Sequence, residues 1–126
     1  LRPPQPSDVS AVASELREVD LLDIAAFSSE NAGVIIPHWL AGSRKAFALE
    51  FESRTAAVGG VIPTTAGQAA TLWAIGSHTL DRAFRAGLLR HTRAWFGDYA
   101  DGEGPLACYP AARNTVDIRW IEWLGF

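Results

Sequence analysis

The chain has a single cysteine, three histidines, no methionine and no long apolar run. Alone, Cys108 cannot close an internal disulfide, so nothing in the sequence requires an oxidising compartment. It reads as a small buried apolar side chain in a strand. No stretch approaches the ~18–20 apolar residues of a membrane span, and the first residues lack a charged segment followed by an apolar one. The expectation is a soluble, unexported chain. Leu1 is not an initiator residue, and a few authentic residues are expected to precede it. Basic residues number 11 against 14 acidic ones, and the net charge of −3 argues against an extended nucleic-acid footprint. His38, His78 and His91 lack metal-binding spacing, and Cys108 does not complete one. No Ser-His-Asp order or Gly-x-Ser-x-Gly elbow appears either.

What is present suits one compact domain over residues 1–126, since 48% of the 126 residues are hydrophobic and five are Trp. Three prolines leave residues 1–6 at most a short edge strand. Ser7 or Asp8 then caps a helix whose apolar stripe is Val9, Val12, Leu16 and Val19, and Leu21, Leu22, Ile24 and Ala25 suggest a further turn or two. From Ser29 to Ser43 the pattern is again helical, with Pro37 placed to break or start a helix and Gly42 to end it. Residues 46–51 alternate as a strand, 52–55 turn, and 56–62 return, which predicts a hairpin. The paired Gly59 and Gly60 mark a bulge or a close backbone approach.

Residues 63–70 read as a loop, 71–75 as a strand, and a helix starts near Leu80. On that helix Leu80, Phe84, Leu88, His91 and Trp95 fall within an arc of about 80°, with Arg82, Arg85, Arg90 and Arg93 opposite. His91 is thereby expected in the core. Residues 97–105 read as an acidic loop and 106–109 as a short strand. This order predicts an α+β (mixed α/β) fold: a mixed, mostly antiparallel central sheet with helices on both faces.

The last thirteen residues form the most specific signal. Asn114 is placed to cap a helix, Ile118, Ile121, Trp120 and Leu124 build a buried face, and Gly125 is placed to close it. This Arg119-Trp-Ile-Glu-Trp-Leu-Gly-Phe126 ending, with Leu72-Trp-Ala-Ile-Gly76, Ala48-Leu-Glu50 before Ala57-Val-Gly-Gly60, Leu16-Arg-Glu-Val-Asp20 and Arg2-Pro-Pro4 with Ser7-Asp8, resembles the GNAT acyltransferase superfamily. Within it the resemblance is to a phage branch, the internal virion protein A family of short-tailed bacteriophages.

The resemblance implies a GNAT-like sheet that holds acetyl-CoA at a splay between two central strands, with the pyrophosphate at the start of the long helix. It points to Gly76, Arg82, Arg85, Gly87 and Asn114 as cofactor-binding positions. The superfamily loop Arg/Gln-x-x-Gly-x-Gly/Ala is approximated by Arg82-Ala-Phe-Arg85-Ala-Gly87, where Arg85 replaces the central Gly and is expected to crowd the phosphates. The Tyr that many superfamily enzymes use to protonate the departing thiolate corresponds to Ile121, which has no proton to give. No catalytic residue is assigned; His78 and Glu50 are the base candidates, while Glu52, Asp81 and Glu103 are equally explained as solvated carboxylates. No strands follow the terminal Gly-Phe where the superfamily normally has them, so the expectation is either that this sequence stops short of the C-terminus or that part of the usual acceptor wall is missing. The resulting expectation is a virion-associated or assembly protein, in the virion or host cytoplasm, with degraded acetyl-transfer motifs and other virion or assembly proteins as partners. Trp39 and Trp123 are candidate interface residues. The alternative is an active N-acetyltransferase that uses acetyl-CoA and an amine acceptor. DNA binding through the arginine face is the weakest reading.

Overall fold

The computed structural model describes residues 1–63, 68–100, 105–109 and 115–124. Asn114, Glu103, Gly125 and Phe126 lie outside the described residues. Three helices come first: α1 (Pro6–Ser14), α2 (Glu18–Phe27) and α3 (Ala32–Gly42). Strands β1 (Lys45–Phe51), β2 (Arg54–Ile62) and β3 (Ala70–Gly76) follow, then α4 (His78–Arg85), α5 (Leu89–Ala100), β4 (Leu106–Ala107) and α6 (Thr115–Leu124). The sheet order is β1-β2-β3-β4; the first two pairings are antiparallel and β3–β4 is parallel. The fold is thus mixed α/β, with a mostly antiparallel four-stranded sheet flanked by helices.

The hairpin forms where the sequence alternates. Glu52 and Ser53 both take positive φ (51° and 62°), the handedness that matches a tight turn to the twist of its strands. The bulge lies between Leu49 and Glu50, not at the glycine pair. Gly59 and Gly60 serve close approach instead. A Cβ at 59 would stand 2.5 Å from the Phe47 ring, and one at 60 would stand 2.5 Å from the Lys45 carbonyl oxygen and 2.6 Å from Ser43 Oγ.

Strand alternation sends side chains to two cores. On one face Ala48, Val58, Trp73 and Ile75 pack against Val12, Ile24, Ile35 and Ile36 of α1–α3. On the other, Phe47, Val61 and Leu72 meet Phe96, Trp120 and Leu124, and Leu49 and Ala57 meet Leu80, Phe84, Leu88 and Trp95.

Several element boundaries differ from expectation for tertiary reasons. Gln5, not Ser7 or Asp8, is the cap of α1; Asp8 is the third helical residue, and its carboxylate accepts the Gln5 N–H at 2.7 Å. The first helix does not run on through Val19. It ends at Ser14, and residues 15–17 lie along the end of β3, where the His78 N–H donates to the Glu15 carbonyl (3.0 Å) and the Arg17 N–H to the Gly76 carbonyl (3.3 Å). Arg17 turns inward, its Nε donating to Asp20 Oδ2 (2.5 Å) and its Nη1 to Asp81 Oδ1 (3.3 Å). That buried charge needs carboxylates around it, and Asp20 and Asp81 supply them. Pro37 does not interrupt α3, because burial of Ile35 and Ile36 and an Asn31 cap on the Val34 N–H (3.2 Å) outweigh its missing donor.

The arginine-bearing helix is two helices. Gly87, at φ +96°, breaks it, yet Leu80, Phe84, Leu88 and Trp95 still share one core cluster across the break. His91 is exposed, with its ring stacked near Trp95 at 6.1 Å between centroids, so it is not the core residue its spacing suggested. The helix α5 runs on to Ala100, through residues expected in the acidic loop, and β4 is only two residues long.

Candidate functional site

The parallel pair β3–β4 is held by only two register pairs, Ala70↔Leu106 and Thr71↔Ala107. Past them β3 continues to Gly76 while β4 has ended, and a gap lies between β3 and Cys108 and Tyr109. The gap is a cavity of about 210 Å³. Its wall draws on Trp73 and Ile75 of β3, Trp39 of α3, Phe96 of α5, and Trp120 and Ile121 of α6.

Aromatic packing keeps that wall in place. Trp120 meets Phe96 edge-on (5.4 Å between centroids) and Phe84 at a tilt (5.8 Å), and its indole N–H donates to Thr92 Oγ1 at 3.1 Å. Across the cavity Trp39 and Trp73 meet edge-on at 5.4 Å, and the Trp73 indole N–H donates to Ser43 Oγ at 2.9 Å. The Trp73 and Trp120 indole donors are therefore used by the protein itself, and these two residues offer the cavity their rings.

The polar lining is sparse: Asp23, Thr71, Cys108 and Tyr109. Burial pushes the Cys108 thiol up to about 12, so at neutral pH it is a protonated, weakly reactive group and not a thiolate nucleophile. Cys108 is half-buried just beyond β4, close to the buried strand position expected for it. Tyr109, which lines the cavity, is 58% exposed.

The positions expected to hold a cofactor gather around α4, outside the cavity lining. Gly76 ends β3, where a Cβ would stand 2.5 Å from Leu80 and 3.0 Å from Arg17 Nε, so its missing side chain seats those two residues. Arg82 and Arg85 are exposed on the last turn of α4, and Arg82 Nη2 donates to Thr79 Oγ1 at 3.3 Å. Gly87 lies in the α4–α5 connection, with the Arg90 guanidinium 3.0 Å from where its Cβ would be. The Gly87 and Leu88 N–H groups donate to the Phe84 and Ala83 carbonyls, both at 3.0 Å. At the start of α4 the donors are also used: Ser77 N–H to Ala56 (2.8 Å), His78 N–H to Glu15 (3.0 Å), and Thr79 N–H to Ser77 Oγ (3.2 Å). Asn114 lies outside the described residues.

The two base candidates are not brought together. His78 is exposed at the first position of α4. Glu50 is exposed on β1, at the opposite edge of the sheet from the cavity, 3.4 Å from Arg2 Nη2. Residues that sequence reasoning did not single out, Asp23 and Tyr109 above all, line the cavity. A short apolar run before Pro110 gave Tyr109 no chemical signal, and Asp23 was hidden among apolar neighbours of α2.

Among the described residues no group of His, Cys, Asp and Glu is arranged to hold a metal ion, and no helix is long and apolar enough to cross a membrane. Compared with protein-family models, with curated proteins and with solved structures, the chain matches none of them.

Proposed function

We propose that the chain is a GNAT-like domain of the phage internal virion protein A type, whose acetyl-transfer equipment is degraded and which acts as a virion-associated or assembly protein through protein contacts. The phage and virion parts of this reading rest on the sequence resemblance. The observation that carries the loss of chemistry is the cavity at the β3–β4 separation: Ile121 stands in its wall where the resemblance places the proton-donating Tyr. The order of elements and the parallel splayed pair support the GNAT-like reading.

The residues present do not fit acetyl-CoA as a reacting cofactor. Ile121 cannot protonate a thiolate, neither His78 nor Glu50 lines the cavity, and Arg85 projects from the motif where a Gly would let phosphate approach. The cavity, about 210 Å³, is also smaller than the ~300–1,000 Å³ of pockets that enclose a drug-sized ligand. Calorimetric titration of the purified protein with acetyl-CoA should show no binding at millimolar ligand, and mass spectrometry of purified particles should find the chain in them. Absence from particles removes the virion role.

One observation favours the second reading, an active N-acetyltransferase: the cavity lies beside the parallel β3–β4 pair, and Tyr109, a residue with a hydroxyl, is among its lining residues. Stoichiometric acetyl-CoA binding that is lost when Gly87 is enlarged would establish that reading in place of the first.

A further inference from the structure

We infer that this chain associates with further copies of itself front to back, the arginine-bearing face of α4–α6 in one copy seating on the outer face of α1–α3 in the next. The first face carries the exposed side chains of Arg82, Arg85, Arg90, Arg93 and Arg119. Among the described residues, none of these five is ion-paired with a carboxylate. The Arg93 guanidinium lies over the Trp123 ring, 5.6 Å from its centroid, and Trp123 is 47% exposed one helical turn from Arg119. Guanidinium groups beside an exposed indole are the side chains that dominate protein interfaces.

The opposite face has the complementary character. Between residues 5 and 43 the only Lys or Arg is Arg17, which is buried in its own ion pairs. The exposed charged side chains there are Glu15, Glu18 and Glu30, and the exposed apolar ones include Leu21 (51%) and Val34 (50%). The helix α3 carries no Asp, Glu, Lys or Arg at all. Contact between the two faces would give the arginines carboxylate partners and cover Trp123 with apolar surface.

Like faces do not suit each other, because the arginine surfaces would repel. A nucleic acid is disfavoured by the net charge of −3, which a polyanion meets as repulsion outside the arginine strip. Because the two faces lie on opposite sides of the sheet, the contact is heterologous and repeats into a ring or an open row instead of closing as a two-fold pair. The inference rests on the assembly reading for its meaning. Its test is separate from acetyl-CoA titration and from particle composition, so the two can fail independently.

Sedimentation velocity on the purified chain is the test. From about 5 to about 200 µM in about 50 mM salt the average sedimentation coefficient should rise, and the apparent dissociation constant should increase at least tenfold at about 500 mM salt as charges are screened. Two charge-reversed proteins, Arg90→Glu/Arg93→Glu and Glu15→Lys/Glu18→Lys, should each remain monomeric with an unchanged circular dichroism spectrum. Mixed in equal amounts they should associate again, since one retains the native acidic face and the other the native basic face. A wild-type chain that stays monomeric at low salt overturns the inference, as does association that survives in both variants, or a mixture of folded variants that stays monomeric. Retention on DNA without self-association would assign the arginine face to nucleic acid and also overturn it. Should either variant fail to fold, the wild-type salt series and Trp123→Ala, expected to weaken association about tenfold, decide the matter.

Discussion

Helices α1–α3 and helices α4–α6 cover opposite faces of one sheet, yet buried ion pairs help fasten the first layer while a wedge of aromatic rings holds the second. In the first, Arg2 Nη1 and Nη2 donate to the two Asp8 oxygens, both at 2.7 Å, and Arg17 at 3% exposure reaches Asp20 and Asp81. Thr55 Oγ1 donates to the same Asp8 carboxylate at 2.6 Å, which ties the N-terminus and α1 to β2. In the second layer Trp120 sits among Phe84, Phe96 and Thr92 beside the cavity. Directional, charge-dependent contacts thus help to fix the first layer in one arrangement. Packing area, which tolerates a void, holds the second next to the candidate site.

The strongest attempt to break this contrast is Arg17→Ala, which leaves Asp20 buried without its cation. Urea denaturation should show a loss of about 3–5 kcal/mol, and Arg17→Met/Asp20→Leu should recover most of it, because an apolar pair has no charge to desolvate. If the single substitution costs under about 1 kcal/mol, the ion pair is not what holds the first layer. Next comes Trp120→Ala, expected to cost about 3 kcal/mol in the same assay, against under about 0.5 kcal/mol for the exposed Trp123→Ala in the monomer. Equal effects would show that α6 is not wedged by Trp120.

The smallest expected effect is on pH. The Arg2 guanidinium, with the Thr55 and Gln5 donors, holds the Asp8 carboxyl well below the usual carboxylate range. A depressed folded-state value contributes stability that is present above the unfolded value of about 3.9 and is lost as pH falls toward the folded value. Asp8→Asn should therefore cost about 2 kcal/mol near neutrality, and the gap to wild type should narrow below about pH 4 in thermal melts. A gap that does not change with pH would mean that Asp8 acts by shape and not by charge.

Much of the scaffold was legible in the residues. Alternation over 46–51 and 56–62 placed the hairpin, the glycine pair marked close approach, and the stripe Leu80, Phe84, Leu88 and Trp95 marked the buried side of two helices. The helix breaks were less legible, because apolar periodicity continues across them. The signal at Leu16 and Val19 is the same whether or not the chain bends between them, and the bend accompanies the backbone bonds of Glu15 and Arg17 to His78 and Gly76 at the end of β3. The site was the least legible part. Its wall comes from seven segments scattered along the sequence, and no local pattern shows that the β3–β4 pairing stops after two residues.

Legible from the residues alone are the alternation of strand and helix, the two-sided sheet they build, and the concentration of arginines on one side of residues 82–93. These follow from side-chain periodicity and residue chemistry, which are local properties. Long-range packing puts Arg17 inside, His91 outside and Ile121 in the wall of a cavity. Each of those depends on which distant residues supply the partner or the packing, and the free energy of burial is set by that company and not by the residue alone.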